Sequence, residues 1–250
     1  MNKKKLLIIS SIICLFGTLD TAQCAPIYDS ASGSEPDLWE VLDIVAPLGG
    51  GSSWTSSAYL NAGAGGRRVD DSTDQVWMAD GVVIATVLTE FWGGTDYPYD
   101  NANQYFRWDE DLDGSSPHDI TGVDAPGQSF GFWPGNAFII GDGGGTDKAW
   151  SREALNTGPL TDRMVTFNVS GLDTYIWTAG DKTNPTTILR SPDLYSTLAY
   201  IVGFDAGYDG DYQDMVVLIQ RAAPIPAPGA ILLAGIGAGL VGWLRRNRTL

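Results

Sequence analysis

Five short apolar runs, each rich in β-branched or aromatic residues, constrain this chain more than any other feature. They occupy residues 82–88, 138–140, 164–169, 198–204 and 215–219. Clusters such as Trp92-Gly93-Gly94-Thr95-Asp96 and Gly141-Asp142-Gly143-Gly144-Gly145 separate them. Val, Ile, Thr and aromatic side chains fit a pleated surface, whereas Gly and Asp interrupt it and supply turns. The expected fold is therefore all-β, a single antiparallel domain of β-sandwich or jelly-roll type. One helix is expected over residues 37–45, where Leu38, Val41, Leu42 and Val45 recur on one face. Residues 151–156 read as a helical turn. Residues 48–66, rich in Gly, Ser and Ala, read as a loop or linker.

The two ends follow another pattern. Lys3, Lys4 and Lys5 precede an apolar run over residues 6–16 and then Ala22-Gln23-Cys24-Ala25. A positive start, a short apolar stretch and small residues at a cleavage position read as a secretory signal peptide over residues 1–24. A lipoprotein cysteine at Cys24 is the other reading, although Thr21-Ala22-Gln23 lacks the usual Leu and the small neighbour. Both cysteines, Cys14 and Cys24, fall in that segment. The mature chain is thus expected to hold no disulfide and no cysteine–metal site. At the other end, residues 229–244 form an apolar run that stops at Arg245, Arg246 and Arg248. As a helix this run would be roughly 24 Å long, a little short of the ~30 Å hydrocarbon layer. The arginines are expected on the cytoplasmic side and the body outside.

Pro226-Ala227-Pro228, the apolar run and Arg245-Arg246-Asn247-Arg248 together resemble the PEP-CTERM sorting signal of bacteria, with Ala227 where the name-giving motif has Glu. The resemblance implies an exosortase-type processing enzyme that recognises the tail, cuts it, and releases or attaches the protein in an exopolysaccharide-rich envelope or biofilm matrix. The protein would be exported, held transiently in the inner membrane by its C-terminal helix. The domain plan expected from this is a signal peptide at 1–24, an N-terminal part of the body at 25–80, a β-rich domain at 81–221 and a sorting tail at 222–250, with the helix at 229–244.

The net charge of −15 at pH 7 argues against nucleic acid, whose phosphates need a basic face. It suits solubility, cation binding or repulsion between neighbours in a matrix. Two carboxylate clusters stand out. Asp109, Asp111 and Asp113 followed by Gly114 match the D-x-D-x-D-G opening of a calcium loop, in which alternating side chains converge on a hard cation. Position twelve of that loop is Ile120, not the Glu that closes a full EF-hand. The second cluster, Asp205, Asp209, Asp211 and Asp214, lies between two of the strongest strand runs and reads as a β-hairpin loop. Four carboxylates this close repel unless water or a cation neutralises them. A solvated acidic turn is the alternative for both.

The second segment, Phe204 with Asp205, Asp209, Asp211, Tyr212, Asp214 and Val216, resembles the closing motif of an exported bacterial family, the domain of unknown function 4114 family. Ala206 and Gln213 depart from it. Phe130-Gly131-Phe132, Ala154-Leu155-Asn156 and Asp162-Arg163-Met164-Val165 resemble it too, spreading the likeness over residues 82–220. The resemblance implies a β-rich extracellular module that binds Ca²⁺.

Catalytic candidates are thin, and the expectation is a non-enzyme. His118 is the single histidine, so a three-His zinc site is ruled out. No G-x-S-x-G elbow and no phosphate-binding loop occurs. A glycosidase-type carboxylate pair is the third reading, weak because acids are everywhere. The tryptophans sustain a second one, a lectin-like module for exopolysaccharide. Trp54, Trp77, Trp92, Trp108, Trp133, Trp150 and Trp177 lie in the body. Exposed together, they would stack on sugar rings; buried, they would be core.

Overall fold

A computed structural model describes residues 36–54, 67–69, 75–91, 98, 104–135, 137–143, 148–156, 162–185, 187–190, 198–205 and 212–225. The signal peptide and the sorting tail from Pro226 onward lie outside the described residues, as do Trp92, Asp209 and Asp211. Among the described residues no helix is long and apolar enough to cross a membrane.

Among the described residues the protein is mostly antiparallel β-sheet with one α-helix. In chain order the elements are α1 (Leu38–Val45), β1 (Val76–Glu90), β2 (Phe106–Asp109), β3 (His118–Asp119), β4 (Ser129–Phe132), β5 (Ala137–Asp142), β6 (Ala149–Trp150), a 3-10 turn (Glu153–Leu155), β7 (Met164–Asn168), β8 (Tyr175–Ala179), β9 (Thr187–Arg190), β10 (Ala199–Phe204) and β11 (Met215–Ile225). The main sheet has the order β3-β2-β5-β1-β11-β10-β7, with β4 added on β1 and β6 on β5; β8 and β9 form a separate hairpin. The boundary expected between residues 80 and 81 falls inside β1.

The central strands read as continuous apolar runs because both of their faces are buried. On one face Val87, Val202, Phe204, Met215, Val217 and Ile219 pack with Phe106, Trp108, Phe132 and Phe138. On the other, Val165, Phe167, Ile201, Val216 and Leu218 pack against α1, Trp54 and Trp177. α1 forms as its periodicity demands. Leu38, Val41, Leu42 and Val45 are buried, and Asp37 and Glu40 make a capping box. Burying four aliphatic side chains stabilises by about 2 kcal/mol apiece at most.

Trp54 closes this second layer. Its indole Nε1 donates to the Ala46 carbonyl at 2.8 Å and its backbone N–H to Asp43 Oδ1 at 2.8 Å. The ring stands edge-on to Phe167, centroids 5.4 Å apart. A residue that the sequence places in a Gly/Ser-rich loop is therefore a core anchor.

β1 is bent. Ala79 pairs with Ala222 of β11, but the next pair is Ile84 with Gln220. The bulge includes Gly81 at φ +89° and, opposite, Arg221 at φ +63°. Such bulges sharpen strand twist and bend a sheet. β5 pairs with the half of β1 before the bend, at Trp77 and Met78, and β4 with the half beyond it, at residues 83–86. The bend thus lets β2, β4 and β5 deliver their aromatic rings to the same core.

Candidate functional site at the acidic end of the sheet

The register sets Glu90 and Phe204 on either side of Met215, and Phe204 beside Met164. The residues next to these pairs are polar and buried: Glu90, Arg163, Asp205, Gln213 and Asp214. Backbone hydrogen bonds bind the strand ends together. Phe91 N donates to the Asp214 carbonyl and Asp205 N to the Arg163 carbonyl, each at 3.1 Å. Gln104, also buried, joins the group. With its amide oriented to satisfy both ends, its nitrogen donates to Glu90 Oε1 at 2.9 Å and to the Asp214 carbonyl at 3.3 Å. Asp205 and Asp214 stand here as the sequence places them, at the two feet of a hairpin. Glu90, Gln104 and Gln213 were not legible, because only strand register brings such distant residues together.

At the second foot of the hairpin the chain lies over β10. Tyr212 takes φ +55°, and its hydroxyl donates to the Asp162 carbonyl at 3.0 Å. Its carbonyl covers Gly203 of β10 so closely that a Cβ there would meet it nearer than real Cβ contacts come. Gly203 is required for this close approach.

Asp142, the last residue of β5, belongs to the same polar region through Arg163. It is wholly buried. Burial pushes its carboxyl up to about 7, against the opposing effects of the Tyr105 amide and the Arg107 and Arg163 guanidinium groups. Arg107 is itself buried. Its Nε donates to Asp119 Oδ1 at 3.0 Å, and its guanidinium carbon lies 5.1 Å from the Trp150 ring centroid.

The other acidic cluster is organised differently. Asp109 accepts from the Asp111 amide at 3.0 Å and from the Gly114 amide at 2.7 Å, one on each oxygen. Asp113 accepts from the Ser115 amide at 2.8 Å. Hydrogen bonds from Ser115 hold Asp113 below the usual carboxylate range. Arg152, which donates to the Leu112 carbonyl, lowers it a little further. These carboxylates serve the turn's own amides. Among the described residues, no group of three or more His, Cys, Asp or Glu side chains is placed to hold a metal ion. At the hairpin the available donors are carboxylate and amide oxygens, which suit Ca²⁺ and not a softer metal.

His118 is exposed and stacks on Trp108, centroids 4.2 Å apart at an interplanar angle of 15°. Among the body tryptophans, Trp54, Trp77, Trp108, Trp150 and Trp177 are buried and Trp133 is 71 % exposed. Comparison with known proteins gives no matching family model, no similar curated protein and no similar solved structure.

Proposed function

We propose that this chain is an exported, non-catalytic module of the cell envelope or biofilm matrix, a sandwich- or jelly-roll-like β domain whose 205–214 hairpin binds calcium. The observation that carries the reading is the run of four aspartates, Asp205, Asp209, Asp211 and Asp214, between β10 and β11, with Asp205 and Asp214 buried at the two strand ends. Carboxylates this closely spaced attract a hard cation with oxygen ligands. A calcium ion bound there would tie the hairpin to β1, β10 and β11, a structural role and not a chemical one. The likeness to the domain of unknown function 4114 family supports the same reading. The PEP-CTERM-like tail supports export, transient anchoring in the inner membrane and recognition by an exosortase-type enzyme. The sugar-binding alternative has less support, since one described body tryptophan is exposed and five are in the core.

The test is calorimetry with a parallel thermal melt of the protein in calcium and in EDTA. Extracellular calcium modules bind at roughly 10⁻⁴–10⁻³ M. Asp211→Ala and Asp214→Ala should each abolish most of the calcium-dependent shift, while Glu110→Gln, on the exposed loop after β2, should leave it intact. Asp119 makes a poor control because it holds buried Arg107. An unchanged melting temperature with no calorimetric heat contradicts calcium binding. The export reading is checked by mass spectrometry of protein from its native host. It predicts loss of residues 1–24 and a cut near residues 226–229; an intact C-terminal peptide in most molecules contradicts it.

A further inference from the structure

Among the described residues four large apolar side chains are exposed: Trp133 at 71 %, Met78 at 48 %, Val82 at 39 % and Phe130 at 38 %. Phe130 stands on the core side of β4 with Phe132, ring centroids 6.4 Å apart, whereas Met78, Val82 and Trp133 lie around the bend of β1 on its outer side. Val83 pairs with Phe132 and Ile84 with Gly131 in the β1–β4 ladder, so Trp133 continues past that ladder alongside Val82. Val82 Cγ1 lies 3.4 Å from where a Cβ on Gly131 would stand. Met78, before the bend, pairs with Ala223 of β11. β11 ends at Ile225, opposite Val76, and Pro226 begins the tail whose apolar run starts at Gly229. Four residues of extended chain reach at most about 14 Å. A bilayer that holds residues 229–244 therefore has this part of the body close to its surface.

We propose that the face formed by Met78, Val82 and Trp133 rests on the lipid surface of the membrane that holds the tail. The proposal depends on the membrane reading of that tail. Three features favour lipid as the occupant. Trp is a side chain of the type that partitions into the headgroup layer. The tether keeps the face at high local concentration beside the bilayer, so a small apolar area is enough to engage it. Exposed apolar groups gathered in one place, and not scattered singly, mark an interaction surface. The contact is apolar and not electrostatic. The chain carries a net charge of −15, which gives it no attraction for an anionic surface. Anionic lipid should therefore add nothing.

The experiment uses the full chain in phosphatidylcholine vesicles, with part of the lipid brominated close to the headgroup. Flotation reports whether the tail anchors the chain. The fluorescence difference between wild type and Trp133→Phe isolates the emission of Trp133 from the other tryptophans. The expected result is that both proteins float and that Trp133 emission shifts to the blue and loses half or more of its intensity to the bromine. Flotation with unquenched, red-emitting Trp133 overturns the proposal and leaves the tail reading intact. Failure to float overturns both. A blue shift without quenching, dependent on the protein-to-lipid ratio, means that a second copy covers the face and overturns the lipid assignment. Trp133→Asp supplies a second check: it should still float, but Val82→Trp introduced beside it should lose most of its quenching.

Discussion

β11 begins and ends in opposite chemistry. At its start, Gln213 and Asp214 are buried next to Asp205 and Glu90, and the preceding loop adds Asp209 and Asp211. Toward its finish the backbone pairs with the stretch of β1 that exposes Met78, and the chain passes through Pro224 and Ile225 toward the apolar tail. Eleven residues of strand separate the two ends, roughly 35 Å if the strand were straight. The contrast inverts the ordinary rule, since charged groups are inside at one end and apolar groups outside at the other. On the proposed reading, each inversion marks a place that something else complements, a cation at the first and a lipid surface at the second.

The acidic end should respond most strongly to mutation. Asp142 has a folded pKa of about 7 against an ordinary value of 3.8, so the folded state holds its proton to higher pH than the unfolded chain does. The cost of ionising it is absent below pH 4, grows between pH 4 and 7, and is complete above 7. At about 1.4 kcal/mol per pH unit this amounts to at most about 4 kcal/mol. Asp142→Asn should match wild type near pH 4 and exceed it in stability at pH 8, read by urea denaturation at both values. A gap that does not vary with pH would remove Asp142 from the account. Next in size, Gly203→Ala should destabilise by about 3 kcal/mol, because a methyl group there collides with the Tyr212 carbonyl. Thermal unfolding reports this, and a neutral variant would mean that the Tyr212 carbonyl does not lie over Gly203.

Calcium comes third. At a hundredfold excess over Kd it should add about 2.7 kcal/mol to the stability of the protein, and Asp214→Ala should remove most of that gain. The smallest effect belongs to the apolar end. Trp133→Ser should change stability in detergent-free buffer by no more than about 0.5 kcal/mol, since an exposed ring leaves no cavity. A large loss there would make Trp133 part of the core and end the contrast between the two ends.

The sequence shows these two ends unequally, for physical reasons. α1 and the strands β1, β5, β7, β10 and β11 are legible because local periodicity or burial on both faces writes itself into consecutive residues. β2, β3 and β4 are not. They read Phe106-Arg107-Trp108-Asp109, His118-Asp119 and Ser129-Phe130-Gly131-Phe132, and their polar members look like loop. The structure satisfies them from afar: Arg107 through Asp119 and the Trp150 ring, Thr86 and Ser129 by a hydroxyl pair at 2.8 Å. Asp205 and Asp214 were legible as part of an acidic hairpin, but Glu90 ends an apolar run that gives no reason to place it beside them. The turn 109–114 shows the reverse case. Its calcium-loop spacing is real, yet Asp109 is occupied by the amides of Asp111 and Gly114, a use of aspartate that spacing alone does not distinguish from ligation.

Amide hydrogen exchange of the full chain, with and without calcium and with and without phosphatidylcholine vesicles, tests the division of the molecule most directly. The account predicts that calcium slows exchange across residues 205–214 and leaves residues 78–82 and 130–133 unchanged, while vesicles slow the second set and leave the first unchanged. Calcium that leaves the hairpin's exchange unaltered, or vesicles that protect the hairpin and not the Trp133 face, would contradict it.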